Sequence, residues 1–157
     1  MNICIFTSTE EFDPISVLIR AKCDSIDSHI GFYNLDNGQT FSAMADGKGV
    51  TWRPVSQHQT INLLLDHQDP TVMQAAFQKA LTQLGRPYDE LDILGIALGR
   101  DWCTANHFIC SVLVFWAFDQ VGSPLLAMWG QPLEHFWPCH ARLSPCLKQR
   151  ITAADAK

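Results

Sequence analysis

The chain has 157 residues, of which 47% are apolar and only 17% charged, with a net charge of -5 and a pI near 5.6. That composition supplies a core for one folded domain and argues against a disordered chain. With no run of Lys or Arg anywhere, it offers no electrostatic footprint for nucleic acid or for an anionic membrane surface. The opening residues MNICIFTSTEEFDP lack the basic and long apolar regions of a signal peptide. The longest apolar run, Phe108 to Phe118, falls short of the ~20 residues needed to cross a bilayer. A cytoplasmic protein is therefore expected, and its six cysteines (Cys4, Cys23, Cys103, Cys110, Cys139 and Cys146) are expected to be free thiols.

Along the chain, Ile3 to Thr7 is apolar and β-branched and predicts a buried strand. Asp13-Pro14 then supplies an N-cap followed by proline at the first helical position, and predicts a helix to about Lys22. His29 to Asn34 and Gln39 to Met44 predict two strands joined at Asp36-Asn37-Gly38, because a tight hairpin turn needs residues that tolerate positive φ. A second turn, Asp46 to Gly49, leads to strands over Val50 to Val55 and Thr60 to Asp66, completing an antiparallel meander. Asp69-Pro70 opens a second helix, in which Met73, Ala76, Phe77, Ala80, Leu81 and Leu84 share one face before Gly85 and Pro87 end it. Tyr88 to Ala105 reads as irregular. Ile109 to Val121 is apolar almost all round, as a buried helix is. The tail from Gln131 has three prolines and no clear pattern. One α+β domain over residues 1–157 follows, an antiparallel sheet packed against the helix that begins near Cys110.

Cys110 is the most informative position. A thiol in the first turn of a helix feels the positive end of the helix dipole, which favours thiolate. The other cysteines are expected in apolar strands or proline-flanked loops, where burial raises the pKa. The plain alternative for Cys110 is an inert core thiol, since buried cysteine is common. His29 opens a strand, and no spacing in the sequence pairs it with Cys110.

Two segments carry a family likeness. Ser28-His29-Ile30-Gly31-Phe32-Tyr33, followed by Asn37-Gly38, Phe41-Ser42-Ala43 and Gly49-Val50, resembles the histidine half of the NlpC-type cysteine peptidase superfamily. Tyr88-Asp89 and Phe108-Ile109-Cys110-Ser111-Val112-Leu113-Val114 resemble its cysteine half. Because the histidine half comes first, the chain looks like the circularly permuted branch of this papain-like fold, a branch shared with lecithin:retinol acyltransferase-like proteins. The likeness spans roughly residues 1–122.

That resemblance implies Cys110 as nucleophile, His29 as general base, the Cys110 backbone N–H and the Tyr88 hydroxyl as oxyanion donors, and Ser42 at the position that orients the base. Ser42 departs from the family pattern of His, Glu or Asn, and Asp46, further along the hairpin, is the candidate substitute. The implied activity is cleavage of an amide through a thioester, on a small peptide, a muropeptide or another acyl substrate, without a cofactor. Alternatives on the same fold are an acyltransferase or thioesterase, and a non-catalytic binding module. A separate reading takes Cys103, His107 and Cys110 with Cys139, His140 and Cys146 as zinc ligands. Their spacing matches no regular zinc motif, so no structural zinc is expected. His58, His67, His135 and His140 read as surface or capping residues. Trp129, Phe136 and Trp137 either line a groove or, the preferred reading, close the core.

Overall fold

The computed structural model describes residues 1–10, 13–58, 60–89, 95, 108–126, 133 and 136–150. Six strands form one antiparallel sheet: β1 (Ile3–Thr9), β2 (His29–Asn34), β3 (Gln39–Met44), β4 (Gly49–Pro54), β5 (Thr60–His67) and β6 (Leu147–Gln149), in the order β4-β3-β2-β1-β5-β6. The helices are α1 (Pro14–Cys23), α2 (Pro70–Leu81) and α3 (Cys110–Asp119), with 3₁₀ segments at Val55–Gln57 and Pro138–Leu143. The class is α+β, as the sequence predicts. Among the described residues no helix is long and apolar enough to cross a membrane.

Local chemistry sets the helix starts. Asp13 accepts from the Ile15 and Ser16 N–H groups and Asp69 from that of Thr71, so each aspartate caps donors that the first turn leaves free. Helix α2 stops at Leu81 rather than Leu84. Its last residues tighten into turns (Gln83 N–H to Ala80 and Leu84 N–H to Leu81) and leave Leu84 exposed.

Alternation along the strands divides the sheet into two faces. Ile5, Ile30, Phe32, Phe41, Ala43, Val50 and Leu65 point to one side and pack on Met73, Ala76, Phe77 and Ala80 of α2 and Leu113, Val114, Ala117 and Phe118 of α3. Phe77 is edge-on to Phe41 and Trp52, with centroids 6.2 and 5.7 Å apart, a geometry that adds about 0.5–1.5 kcal/mol per pair beyond area burial. Phe136, stacked on Phe115 at 4.9 Å, closes this core, and Trp137 is buried in a separate small cluster with Ile19 and Ile109.

The opposite face carries Phe6, Ser8 and His29, since Phe6 pairs with Gly31 and Ser8 with His29. The link from β4 to β5 passes over this face and lays His58 on Phe6, ring centroids 4.6 Å apart. Gly31 makes that crowding feasible. A Cβ there would lie 2.7 Å from the Ser42 Cβ and 2.8 Å from the Phe6 ring.

Candidate active site

Helix α3 begins where the chain returns to the sheet after α2. The Phe108 N–H donates to the Pro87 carbonyl at 3.1 Å and the Asp89 N–H to the Phe108 carbonyl at 3.3 Å, forming a parallel bridge between Tyr88 and Phe108. This clamp fixes Cys110 as the first helical residue, behind an N-cap, Ile109, that has no capping side chain. The Cys110 sulfur faces the backbone N–H groups of Ile30, of Ser111 and of Cys110 itself. Ile30 is the residue after His29, so helix start and strand start meet at this point.

The electrostatics differ from the sequence expectation. Cys110 is 1% exposed, and burial pushes its thiol up to about 11 although the surrounding N–H groups pull the other way. Desolvation outweighs the helix terminus. His29, 5% exposed, is held well below the usual imidazole range by burial first, and then by the nearby positive charges of His58 and Arg53. The resting pair is thus a neutral thiol and a neutral imidazole, with no hydrogen bond between them among the described residues.

One consequence concerns reactivity. At neutral pH a thiol near 11 carries about 300-fold less thiolate than a free cysteine, and greater intrinsic nucleophilicity restores only part of this. Iodoacetamide should therefore label Cys110 at least about tenfold more slowly than the half-buried Cys139, whose pKa is lowered, in a peptide-mapped time course at pH 7. From the sequence alone, Cys110 is expected to be the fastest thiol and the others raised; Cys4 and Cys23 are raised, but burial raises Cys110 as well, and Cys139 is lowered by its contact with Cys23.

His29 has an orphaned atom. Its Nε2 is buried and has no hydrogen-bond partner. The ring stacks on His58 with centroids 5.2 Å apart and planes at 22°, and leans on Phe6 at 5.7 Å. Because His29 resists protonation when folded while an unfolded histidine titrates near 6.5, the unfolded chain binds the extra proton. Stability therefore falls as pH drops below about 6.5. Urea midpoints at pH 7 and pH 5 for the protein and for His29→Leu should show that the substitution removes part of this slope.

A carboxylate–imidazole contact is present, but at His58 rather than at His29. His58 Nδ1 lies 2.8 Å from Glu10 Oε1 and Nε2 lies 3.0 Å from Thr40 Oγ1. Glu10 also accepts from the Ser8 hydroxyl at 3.1 Å, and the Thr40 hydroxyl donates to the Arg53 carbonyl at 3.0 Å. With the carboxylate as acceptor, His58 carries a proton on Nδ1. Neither Glu10 nor His58 was legible in the sequence, where 48 residues separate them. His58 is a buried, bonded residue rather than a surface one; His67 is also buried, stacked on Phe118 at 5.6 Å, but its Nδ1 accepts from the Asp69 N–H at the start of α2, as a capping residue does.

The two orienting candidates lie elsewhere. The Ser42 hydroxyl is buried without a hydrogen-bond partner and makes no bond to His29. Asp46 cannot substitute for it, because both of its oxygens are held by Arg53: Nη2 at 2.7 Å and Nε at 3.0 Å. Tyr88 and His29, by contrast, share the wall of a small cleft with Glu10, Asp13, Ser16 and Ser28. Cys110 is not among the residues lining that cleft. Cys103, His107, Trp129 and His135 lie outside the described residues.

No family model matches the chain, and no curated protein does. Among solved structures, the metalloprotein yiiX from Escherichia coli O157:H7 (DUF1105) is similar over 94% of both chains, with a TM-score of 0.65 and 17% identity. The two proteins share a fold. At that identity the likeness extends no further than the fold. Among the described residues of this chain, no group of three or more His, Cys, Asp or Glu side chains is placed to hold a metal ion.

Proposed function

We propose that the protein is a cysteine hydrolase of amide or ester bonds, arranged as a permuted papain-like enzyme with Cys110 as nucleophile and His29 as base. One observation carries the reading: the Cys110 sulfur, at an uncapped helix start, lies against the Ile30 N–H, one residue from a buried imidazole whose Nε2 has no partner. Such an orphaned atom is costly unless it serves a purpose.

In this mechanism His29 takes the thiol proton as the sulfur attacks the carbonyl carbon, and the C–S bond forms as the carbonyl oxygen becomes an oxyanion. In this reading the Cys110 N–H, which no side chain caps, turns from the sulfur to the oxyanion as the C–S bond forms. Collapse returns the proton to the leaving amine or alcohol, and water then hydrolyses the thioester. Ordering the steps this way suits a neutral pair, since the proton moves only when a substrate is present. The thiol and the imidazole thus carry every proton and bond in the sequence of steps. A non-catalytic binding module is the second reading, favoured by the raised Cys110 thiol and by Ser42 making no bond to His29.

Intact-mass analysis after incubation with a small activated ester tests the reading. The expected result is one acyl group, mapped to Cys110, absent from Cys110→Ala and released by water over time. Acylation that survives Cys110→Ala, or none on a folded protein, favours the binding module.

A further inference from the structure

We propose that Cys23 and Cys139 form a reversible disulfide, an oxidation site for hydrogen peroxide that is separate from the Cys110–His29 pair. Cys23 is the last residue of α1 and Cys139 lies in the Pro138–Leu143 segment, yet the two thiols are neighbours that interact directly. Both thiols are half-buried, and both pack on the same small cluster of Ile19, Ile109 and Trp137. The two segments are also joined by an ion pair. Asp27, just beyond α1, accepts from Arg142 Nη2 at 2.9 Å and from Arg142 Nε. This latch is anchored in turn by Asn62, which donates to Asp27 at 2.9 Å.

The surroundings assign the roles. Cys139 is held below the usual thiol range by the Cys23 S–H, although burial and the Asp27 charge oppose this; its own N–H and that of His140 help, and the Arg142 cation lies nearby. Cys23 is raised, chiefly because it donates that hydrogen bond. With its own N–H, that of His140 and the Arg142 cation beside its sulfur, Cys139 is the attacking thiolate and Cys23 the resolving thiol. The Cys139 sulfur attacks one peroxide oxygen, the O–O bond breaks, and the departing hydroxide is protonated to water, leaving a sulfenic acid. The Cys23 sulfur then attacks that sulfur, the S–O bond breaks, and the hydroxyl leaves with the Cys23 proton as a second water. Two thiols have lost two electrons and one peroxide has gained them. Cys4 and Cys110 offer no equivalent: both are buried, and burial pushes them up to about 12 and about 11.

The whole protein treated with stoichiometric hydrogen peroxide at pH 7, blocked with N-ethylmaleimide and mapped without reduction, provides the test. The expected product has lost two hydrogens, links the Cys23 and Cys139 peptides, and reverts with dithiothreitol. Cys23→Ser should stop at a dimedone-reactive Cys139 sulfenic acid, and Cys139→Ser should consume peroxide at least tenfold more slowly. Circular dichroism confirms that each variant is folded. A link through any of the other four cysteines overturns the proposal, as does a Cys23→Ser protein that still forms an intramolecular disulfide. In the wild-type map, unlinked Cys23 and Cys139 after the peroxide is consumed overturn it too, whatever the variants do.

Discussion

Arg53→Met is expected to destabilise the protein by about 3–5 kcal/mol, because it leaves the buried carbonyls of Ser42 and Gly49 without their donor, at about 1–3 kcal/mol each, and ends the ion pair with Asp46. For a chain of this size that corresponds to a fall in Tm of roughly 6–20 °C. Arg53 is 2% exposed, and its guanidinium has five N–H donors. Two bond Asp46, and the others reach the carbonyls of Ser42 at 2.9 Å, Gly49 at 2.9 Å and Thr51 at 3.3 Å. Methionine fills much of the volume and satisfies none of them. The Arg53 main-chain carbonyl, which accepts from the Thr40 hydroxyl beside His58, is kept in this variant, so the cost is that of the guanidinium alone.

The pair also has a pH signature. Burial works to raise the Asp46 carboxyl, but hydrogen bonds from Arg53 and from the Lys48 N–H outweigh it and hold it below the usual range. A carboxylate depressed on folding contributes stability above its unfolded pKa of about 3.9, and that contribution is lost as pH falls through the folded value. Arg53→Met should flatten this acid limb in denaturant titrations between pH 5 and pH 3. A cost under about 1 kcal/mol, with the acid limb unchanged, counts against the assignment.

Strands β2 and β3 were readable because turn signals bracket them on both sides and each has one apolar face. Helices α1 and α2 were readable from Asp-Pro caps. Elsewhere the deciding contacts are distant. Strand β6 is three residues beyond Pro145, and its reason to be extended is the free edge of β5. The link between β4 and β5 has no periodicity, yet it crosses a sheet face and buries His58. The site was legible in part for the same reason. Cys110 shows itself by opening an apolar helix, and His29 by opening a strand. That the Ile30 N–H meets the Cys110 sulfur depends on the Tyr88–Phe108 bridge, which no local pattern encodes. The helix-terminus argument for a reactive thiol was sound locally and was outweighed by desolvation, which only the packed structure specifies.

Cys110→Ala and His29→Ala are each expected to lower kcat/KM on a hydrolysed acyl substrate by about 10³-fold or more, and the double variant should lose little beyond either one. The reason lies in the neutral resting pair. Burial keeps the thiol from ionising alone near neutral pH, so in the proposed mechanism attack requires His29 to accept the proton in the same step. Removing either partner closes that route. The pH profile follows from the same shifts: His29 is held well below 6.5 and Cys110 is pushed up to about 11. Between those limits the pair stays neutral, so kcat/KM should be flat through neutral pH, with its acid limb well below 6.5. His58→Phe keeps a ring stacked on His29 and removes the imidazole that meets Glu10; it should cost less than tenfold if His29 is the base. Losses that add between Cys110→Ala and His29→Ala would show that the two do not act as a unit. A His58→Phe loss as large as that of His29→Ala would transfer the role of base to His58, with Glu10 as its partner.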